Sequence, residues 1–188
     1  VGRVEKVGQT EAKGGVGGAG GWWEPQKEAE AVNAVDDEGI AVSGEQVDSA
    51  ITIAETAEKR GVYVIGKDVN VMDRAPDTVL TGVSWNWGPM MKEQVEAIHA
   101  GTWKPSHLRS DLAGGAAVLD DFSSKVPEDV QEKVLARKEE IVDGTFDIWT
   151  GPLVAQNGTT VVAEGETMDM EDVETMDFLV EGVVGSAD

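Results

Sequence analysis

Between residues 25 and 66 the chain alternates twice between helical and extended apolar spacing, and this alternation restricts its fold more than any other feature. PQKEAEAVNAVDDE, residues 25–38, opens on proline and sets Ala29, Val32 and Val35 on one face, which predicts a helix stopped by Gly39. IAVSG, residues 40–44, is a short β-prone run. Asp48 and Ser49 then offer a cap to a second helix, ITIAETAEKR, which ends on basic residues and Gly61, as the helix dipole favours. VYVIG, residues 62–66, reads as a buried strand. Helix, strand, helix, strand with short glycine-marked connections predicts a parallel sheet covered by helices, an α/β fold.

In such sheets ligands collect outside the carboxyl ends of the strands, which points to three turns, residues 46–49, 67–70 and 85–89. The third lies in APDTVLTGVSWNWGPMMKEQVEAIHAGTW, where Trp-Asn-Trp-Gly-Pro separates a β-prone run from an amphipathic helix over residues 90–100. Aromatic residues make up only 5% of the chain, so the indoles of Trp85 and Trp87 read as either core anchors or platforms for a flat ligand. Further on, Gly114 and Gly115 allow close backbone approach. PEDVQEKVLARKEEIVDG predicts a long helix that packs by the stripe Val130, Val134 and Ile141. Asn157-Gly158 between two β-prone runs predicts a hairpin.

The glycine-dense residues 1–21 predict a loop or a poorly specified strand pair. GGVGGAGG is not a dinucleotide fingerprint, because Trp22-Trp23-Glu24-Pro25 intervenes before the helix.

At 188 residues the chain has room for one substantial core or two small lobes. Its 36 acidic against 15 basic residues give a net charge of −21, which repels phosphate and argues against a nucleic-acid partner. The spread of these acids reads as a hydrated surface of the kind salt adaptation favours. With no cysteine, disulfides, thiolate metal sites and cysteine nucleophiles are excluded. His99 and His107, the only histidines, stand in no ligand or nucleophile spacing and read as surface residues. The acid and methionine alternation of residues 168–177 lacks the order of a calcium loop, so no metal and no cofactor are expected. No apolar run approaches the roughly 18 residues of a membrane span, and Val1 opens no signal peptide, so a soluble mature chain is expected, with any export signal already missing.

GWWEPQKEAEA, the aspartate-serine turn at Asp48, GVYVIGKDVN, APDTVLTGVSWNWGP, AIHAGTW, FSSKVPEDV and GPLVAQNG follow one another in an order that resembles the basic membrane lipoprotein family, over roughly residues 21–185. These are substrate-binding proteins of ABC importers related to purine nucleoside receptors. The resemblance implies a periplasmic-binding-protein type I fold, a Rossmann-like parallel sheet with helices on both faces, here lacking much of the first lobe. It divides the chain into an α/β lobe over residues 1–82, a return segment with the long helix over 83–150, and a hairpin and tail over 151–188.

The same resemblance implies a purine base or nucleoside held between two lobes, without catalytic residues. Trp22 falls at the family's aromatic position, where stacking on a base would contribute roughly 1–3 kcal/mol. Asp48, Asp68 and Asn70 lie at strand-end turns suited to accepting hydrogen bonds from amines or ribose hydroxyls, although each also suits a cap or turn. Trp85 replaces the lysine of nucleoside-binding relatives, which favours a base-centred ligand such as adenine. Gly115 completes the expected ligand-binding set. The implied partners are ABC permease subunits, with the receptor a monomer at the periplasmic or extracellular membrane face, anchored by lipid through an upstream cysteine or free. Two other readings remain open: an α/β enzyme using Asp120 and Asp121 as acid and base, and a structural or interaction fragment.

Overall fold

The structure, a computed structural model, describes residues 14–15 and 20–185. The chain order is β1 (Gly14–Gly15), α1 (Pro25–Asp37), β2 (Val42–Gly44), α2 (Ala50–Arg60), β3 (Tyr63–Asp68), β4 (Val79–Trp85), α3 (Gly88–His99), β5 (Ala117–Leu119), α4 (Glu128–Val142), β6 (Leu153–Val154), β7 (Thr160–Val162), α5 (Met170–Glu174) and β8 (Val183–Val184). The described residues divide into two units, residues 20–143 and residues 14–15 with 144–185.

In the unit of residues 20–143 the sheet order is β2-β3-β4-β5. β2, β3 and β4 are parallel, as the helix-strand alternation predicts, and β5 joins β4 antiparallel at the edge. One antiparallel edge strand is a common addition to a parallel sheet.

Pro25 begins α1, and the Glu28 side chain reaches back one turn, its Oε1 accepting from Glu24 N–H at 2.7 Å. Gly61 ends α2 at φ 75°, a left-handed conformation that glycine adopts without a Cβ penalty. Arg60 joins the two helix ends, bonding Asn33 at 2.7 Å and pairing with Asp36 at 3.3 Å.

The core lies among α1, α2 and the sheet, and includes Val32, Ile53, Ala54, Ala57, Val64 and Val79. Ala54 and Ala57 are fully buried, so the small face of α2 sits close against its neighbours. β3 and β4 also approach closely: a Cβ on Gly82 would lie 2.9 Å from Gly66 O and 2.9 Å from Asp120 Oδ2.

The expectation that α4 packs by one stripe is overturned, since no residue of α4 is buried and Val130 and Ile141 are each 38% exposed. Eight of its 15 residues are charged, leaving too narrow an apolar face to draw the helix into the core. α3 likewise buries no residue.

The other unit contains the Asn157-Gly158 hairpin, with β6 and β7 antiparallel, and β1 parallel to β8. Leu179, Val180 and Val183 form its core, with Phe178 packed against them. Gly14 and Gly15 are the described part of the glycine-rich start, and the rest of that expectation lies outside the described residues.

Candidate functional site

The parallel register of β3 and β4 sets Asp68 opposite Ser84, so Trp85 follows immediately beside Asp68 at the carboxyl ends of adjacent strands. Trp85 Nε1–H donates to Asp68 Oδ1 at 2.6 Å, and Lys67 Nζ donates to Asp68 Oδ2 at 2.6 Å. Glu45, just past β2, accepts the Lys67 backbone N–H at 2.9 Å through Oε1. Three neighbouring strand ends thus contribute one connected polar group. Asp68 stands at φ 69°, the one non-glycine residue with positive φ among the described residues. Conformational cost of this kind concentrates where the surroundings hold a residue for a task.

Burial pushes the Asp68 carboxyl upward, but the hydrogen bonds from Lys67 and Trp85 outweigh it and hold the group below its ordinary value. Glu45 behaves oppositely. Burial raises its carboxyl from 4.5 to about 7, against the lowering effect of the Lys67 N–H and ammonium and with a further rise from Asp68 and Glu28. Adjacent strand ends therefore carry one firmly ionised carboxylate and one carboxyl that titrates near neutrality.

Trp85 and Trp87 stack on each other, with ring centroids 5.6 Å apart and planes 27° from parallel. They remain 40% and 50% exposed, which excludes the core-anchor reading left open by the sequence. Asn86, between them, donates its backbone N–H to Ala116 O at 2.8 Å and Nδ2–H to Gly115 O at 3.4 Å. Gly115, at φ 78° with open space where a Cβ would be, is thereby tied to Asn86. Behind them, Ser84 Oγ donates to Asp120 Oδ1 at 2.7 Å.

Trp22 is 65% exposed, and its carbonyl accepts the Asp48 N–H at 2.7 Å, which sets these two residues together before α2. The expected cap on α2 is not made: Ser49 is the N-cap residue, but its side chain accepts no cap hydrogen bond. Its backbone, at φ −102° and ψ 46°, lies outside the extended geometry that aims a cap side chain at the next turn. Asn70 accepts the Met72 N–H at 3.0 Å through Oδ1, a turn contact.

Of the six expected residues, Asp68 and Trp85 meet directly, Gly115 joins through Asn86, and Trp22 pairs with Asp48 through the backbone. Sequence reasoning placed Lys67 in a candidate turn without singling it out, and missed Glu45. Their signal was position alone, directly after the glycine that ends β2 and directly before Asp68. A cavity of about 420 Å³ in the other unit, lined by Met168, Asp172, Met176 and Phe178 among others, contains none of the six. No group of three metal-ligating side chains occurs among the described residues.

Exposed indoles, an ionised carboxylate and backbone acceptors thus gather at the strand ends of an α/β sheet, the place where ligands collect in open sheets of this kind. The chain belongs to the Bmp family, ABC transporter substrate-binding protein PnrA-like, whose model matches residues 12–149.

The chain is 32% identical over 162 residues to a purine-binding protein of Brucella abortus, covering 86% of this chain and 46% of that protein. It is 27% identical over 164 residues to a Haloferax volcanii protein named as an ABC transporter glucose-binding protein, covering 87% of this chain and 39% of that one. It therefore spans less than half the length of either relative. Among solved structures, its fold resembles a transcriptional activator of the comK gene from Bacillus halodurans, with a TM-score of 0.61 at 21% identity over 68% of this chain and 45% of that one.

The family is one of substrate-binding proteins rather than enzymes, which displaces the acid-base reading of Asp120 and Asp121. Asp120 is instead tied to the sheet by Ser84 and through its carbonyl to Thr81 Oγ1 at 2.9 Å. No helix among the described residues is long and apolar enough to cross a membrane.

Proposed function

We propose that this chain forms part of the extracytoplasmic solute receptor of an ABC importer and contributes its strand-end site to binding a purine base or nucleoside. The observation that carries this reading is the Trp85–Asp68 contact, a 2.6 Å bond that fixes an exposed indole beside an ionised carboxylate. Stacking on an indole favours any flat heterocycle, and a carboxylate accepts from the amino and ring N–H groups along a purine edge. Trp85 and Asp68 act with Gly115 on the same rim, while Trp22 and Asp48 supply a second exposed indole and carboxylate, and Asn70 shapes the turn after Asp68. The purine-binding relative supports the base, and Trp85 in place of lysine favours adenine over a ribose-centred mode.

Delivery is to the permease subunits, with the receptor a monomer at the periplasmic or extracellular face of the membrane, either anchored by lipid or free. The ligand undergoes no chemistry. A sugar is the second reading, because the Haloferax volcanii relative is named for glucose and an indole beside a carboxylate also suits a pyranose ring with its hydroxyls. Calorimetry with adenine, adenosine, guanosine, inosine and glucose separates the two. Saturable heat from a purine supports the proposal, heat from glucose alone supports the sugar, and heat from none of the five overturns both.

A further inference from the structure

The alternation of acids and methionines over residues 168–177 has no part in the strand-end site, yet it lines much of the cavity of about 420 Å³ in the other unit. Local hydrogen bonds build that wall. Glu166 O accepts the Gly151 N–H at 2.7 Å, the Thr150 and Thr167 hydroxyls bond at 2.8 Å, and Met168 N–H donates to Trp149 O at 3.1 Å. Asp169 Oδ1 accepts the Asp172 N–H at 2.9 Å and starts α5, which carries Asp172 and returns the chain to Met176. Phe178 packs against the core of Leu179, Val180 and Val183.

Three carboxylates line the cavity, those of Glu166, Asp172 and Asp177, and none makes a hydrogen bond or ion pair among the described residues. The hydroxyls of the lining are already engaged, Thr167 with Thr150 and Thr175 as donor to Glu171 O at 2.8 Å. Residues 144–185 contain nine acids and no lysine, arginine or histidine, so nothing within this unit neutralises the three carboxylates. An occupant must therefore bring both the positive charge and the N–H donors. The rest of the lining is soft and apolar, chiefly Met168, Met176 and Phe178. Thioethers adapt to an aliphatic chain, and an aromatic face attracts an ammonium group. A bare metal ion matches this lining poorly, because no three ligating side chains converge among the described residues and the volume is that of a small-molecule site.

We infer that the cavity binds a linear aliphatic polyamine, its ammonium groups on Glu166, Asp172 and Asp177 and its methylene chain along Met168, Met176 and Phe178. Carboxylates set apart from one another favour a ligand whose charges are also set apart. The acid and methionine alternation presents in turn what a polyamine presents in turn, an ionic contact and then an apolar one. A compact cation meets only the first. The carboxylates stay open to solvent, so salt screens the attraction and the apolar contacts set the specificity. This site is separate from the strand-end site and takes a ligand of opposite chemistry, a donor of charge rather than a flat ring.

The test is calorimetry with spermidine at about 0.15 M salt, beside NMR of carbon-13 methionine methyls assigned through Met168→Leu and Met176→Leu. One saturable site is expected, with the Met168 and Met176 signals shifting along the same curve. Asp172→Asn with Asp177→Asn should weaken binding by about tenfold or more, since two charge-assisted hydrogen bonds are lost. Glu132→Gln with Glu139→Gln, an equal change of charge at exposed positions on α4, should leave affinity within about twofold of wild type. Equal weakening in the two double variants overturns the inference, because spermidine would then sense net charge alone. Unmoved Met168 and Met176 signals overturn it as well, as does magnesium chloride that reproduces their shifts at the same concentration. The wild-type methionine spectra decide the matter even where a variant does not fold.

Discussion

Replacing Asp68 by asparagine, glycine and alanine separates the two things that residue does, which are to hold a left-handed backbone and to receive Lys67 and Trp85. Its φ of 69° costs an ordinary L-residue roughly 1–2 kcal/mol, a penalty glycine escapes and asparagine largely tolerates. Its side chain is 29% exposed, so solvent screens the Lys67 pair to about 0.5 kcal/mol, and the charge-assisted indole bond adds about 1 kcal/mol. Asparagine keeps an acceptor for Trp85 and loses mainly the ion pair, a destabilisation of about 0.5 kcal/mol. Glycine loses both contacts and gains unfolded-state freedom but relieves the backbone, for a net of about 1 kcal/mol. Alanine loses both contacts and relieves nothing, which places it at about 2 kcal/mol or more. Urea unfolding of the four proteins gives the order directly. The decisive sign is glycine above alanine in stability, the reverse of their usual ranking inside regular structure. An alanine variant more stable than the glycine variant would refute the argument that φ at position 68 is under strain.

Gly82→Ala puts a Cβ 2.9 Å from both Gly66 O and Asp120 Oδ2, so β3 and β4 must part, and a loss of about 1–3 kcal/mol in urea unfolding is expected where an open position such as Gly44 tolerates alanine. Val64→Ala empties a fully buried site between α2 and the sheet and should cost about 2 kcal/mol, checked by the same unfolding curves. Trp85→Phe keeps an aromatic ring but removes the Nε1–H donor, so the Asp68 carboxyl should rise toward its ordinary value, read by carbon-13 NMR. Because Asp68 is lowered in the fold, its stabilising contribution is present above the unfolded value and lost as pH falls through the folded one, and Asp68→Asn should flatten that part of the acid profile.

The α/β fold was legible because the pieces that define it are local: Pro25, the Val32 and Val35 spacing, Gly61 and the VYVIG run each encode an element within a few residues. The turn at Asn157-Gly158 was readable for the same reason. α4 was not, because a stripe of Val130, Val134 and Ile141 states only what a helix is able to bury, and burial depends on whether a partner surface exists. The site divides along the same line. Asp68 and Trp85 stood out as polar and aromatic residues at strand ends, but that they meet depends on the register of β3 with β4, which single-strand patterns do not carry. Glu45 escaped notice and Lys67 was not singled out because their role arises from the 2.9 Å contact across β2 and β3, and a glutamate after a glycine looks like any surface acid.

The most direct test of the central claim uses the indole N–H signals of the six tryptophans in a nitrogen-15 spectrum during titration with adenine. The Trp85 signal, identified by its absence in Trp85→Phe, should shift and saturate, since its N–H is bonded to Asp68 at the rim where the base is received. A Trp85 signal unmoved at millimolar adenine, in a protein that binds adenine by calorimetry, would place the ligand elsewhere and contradict the strand-end site.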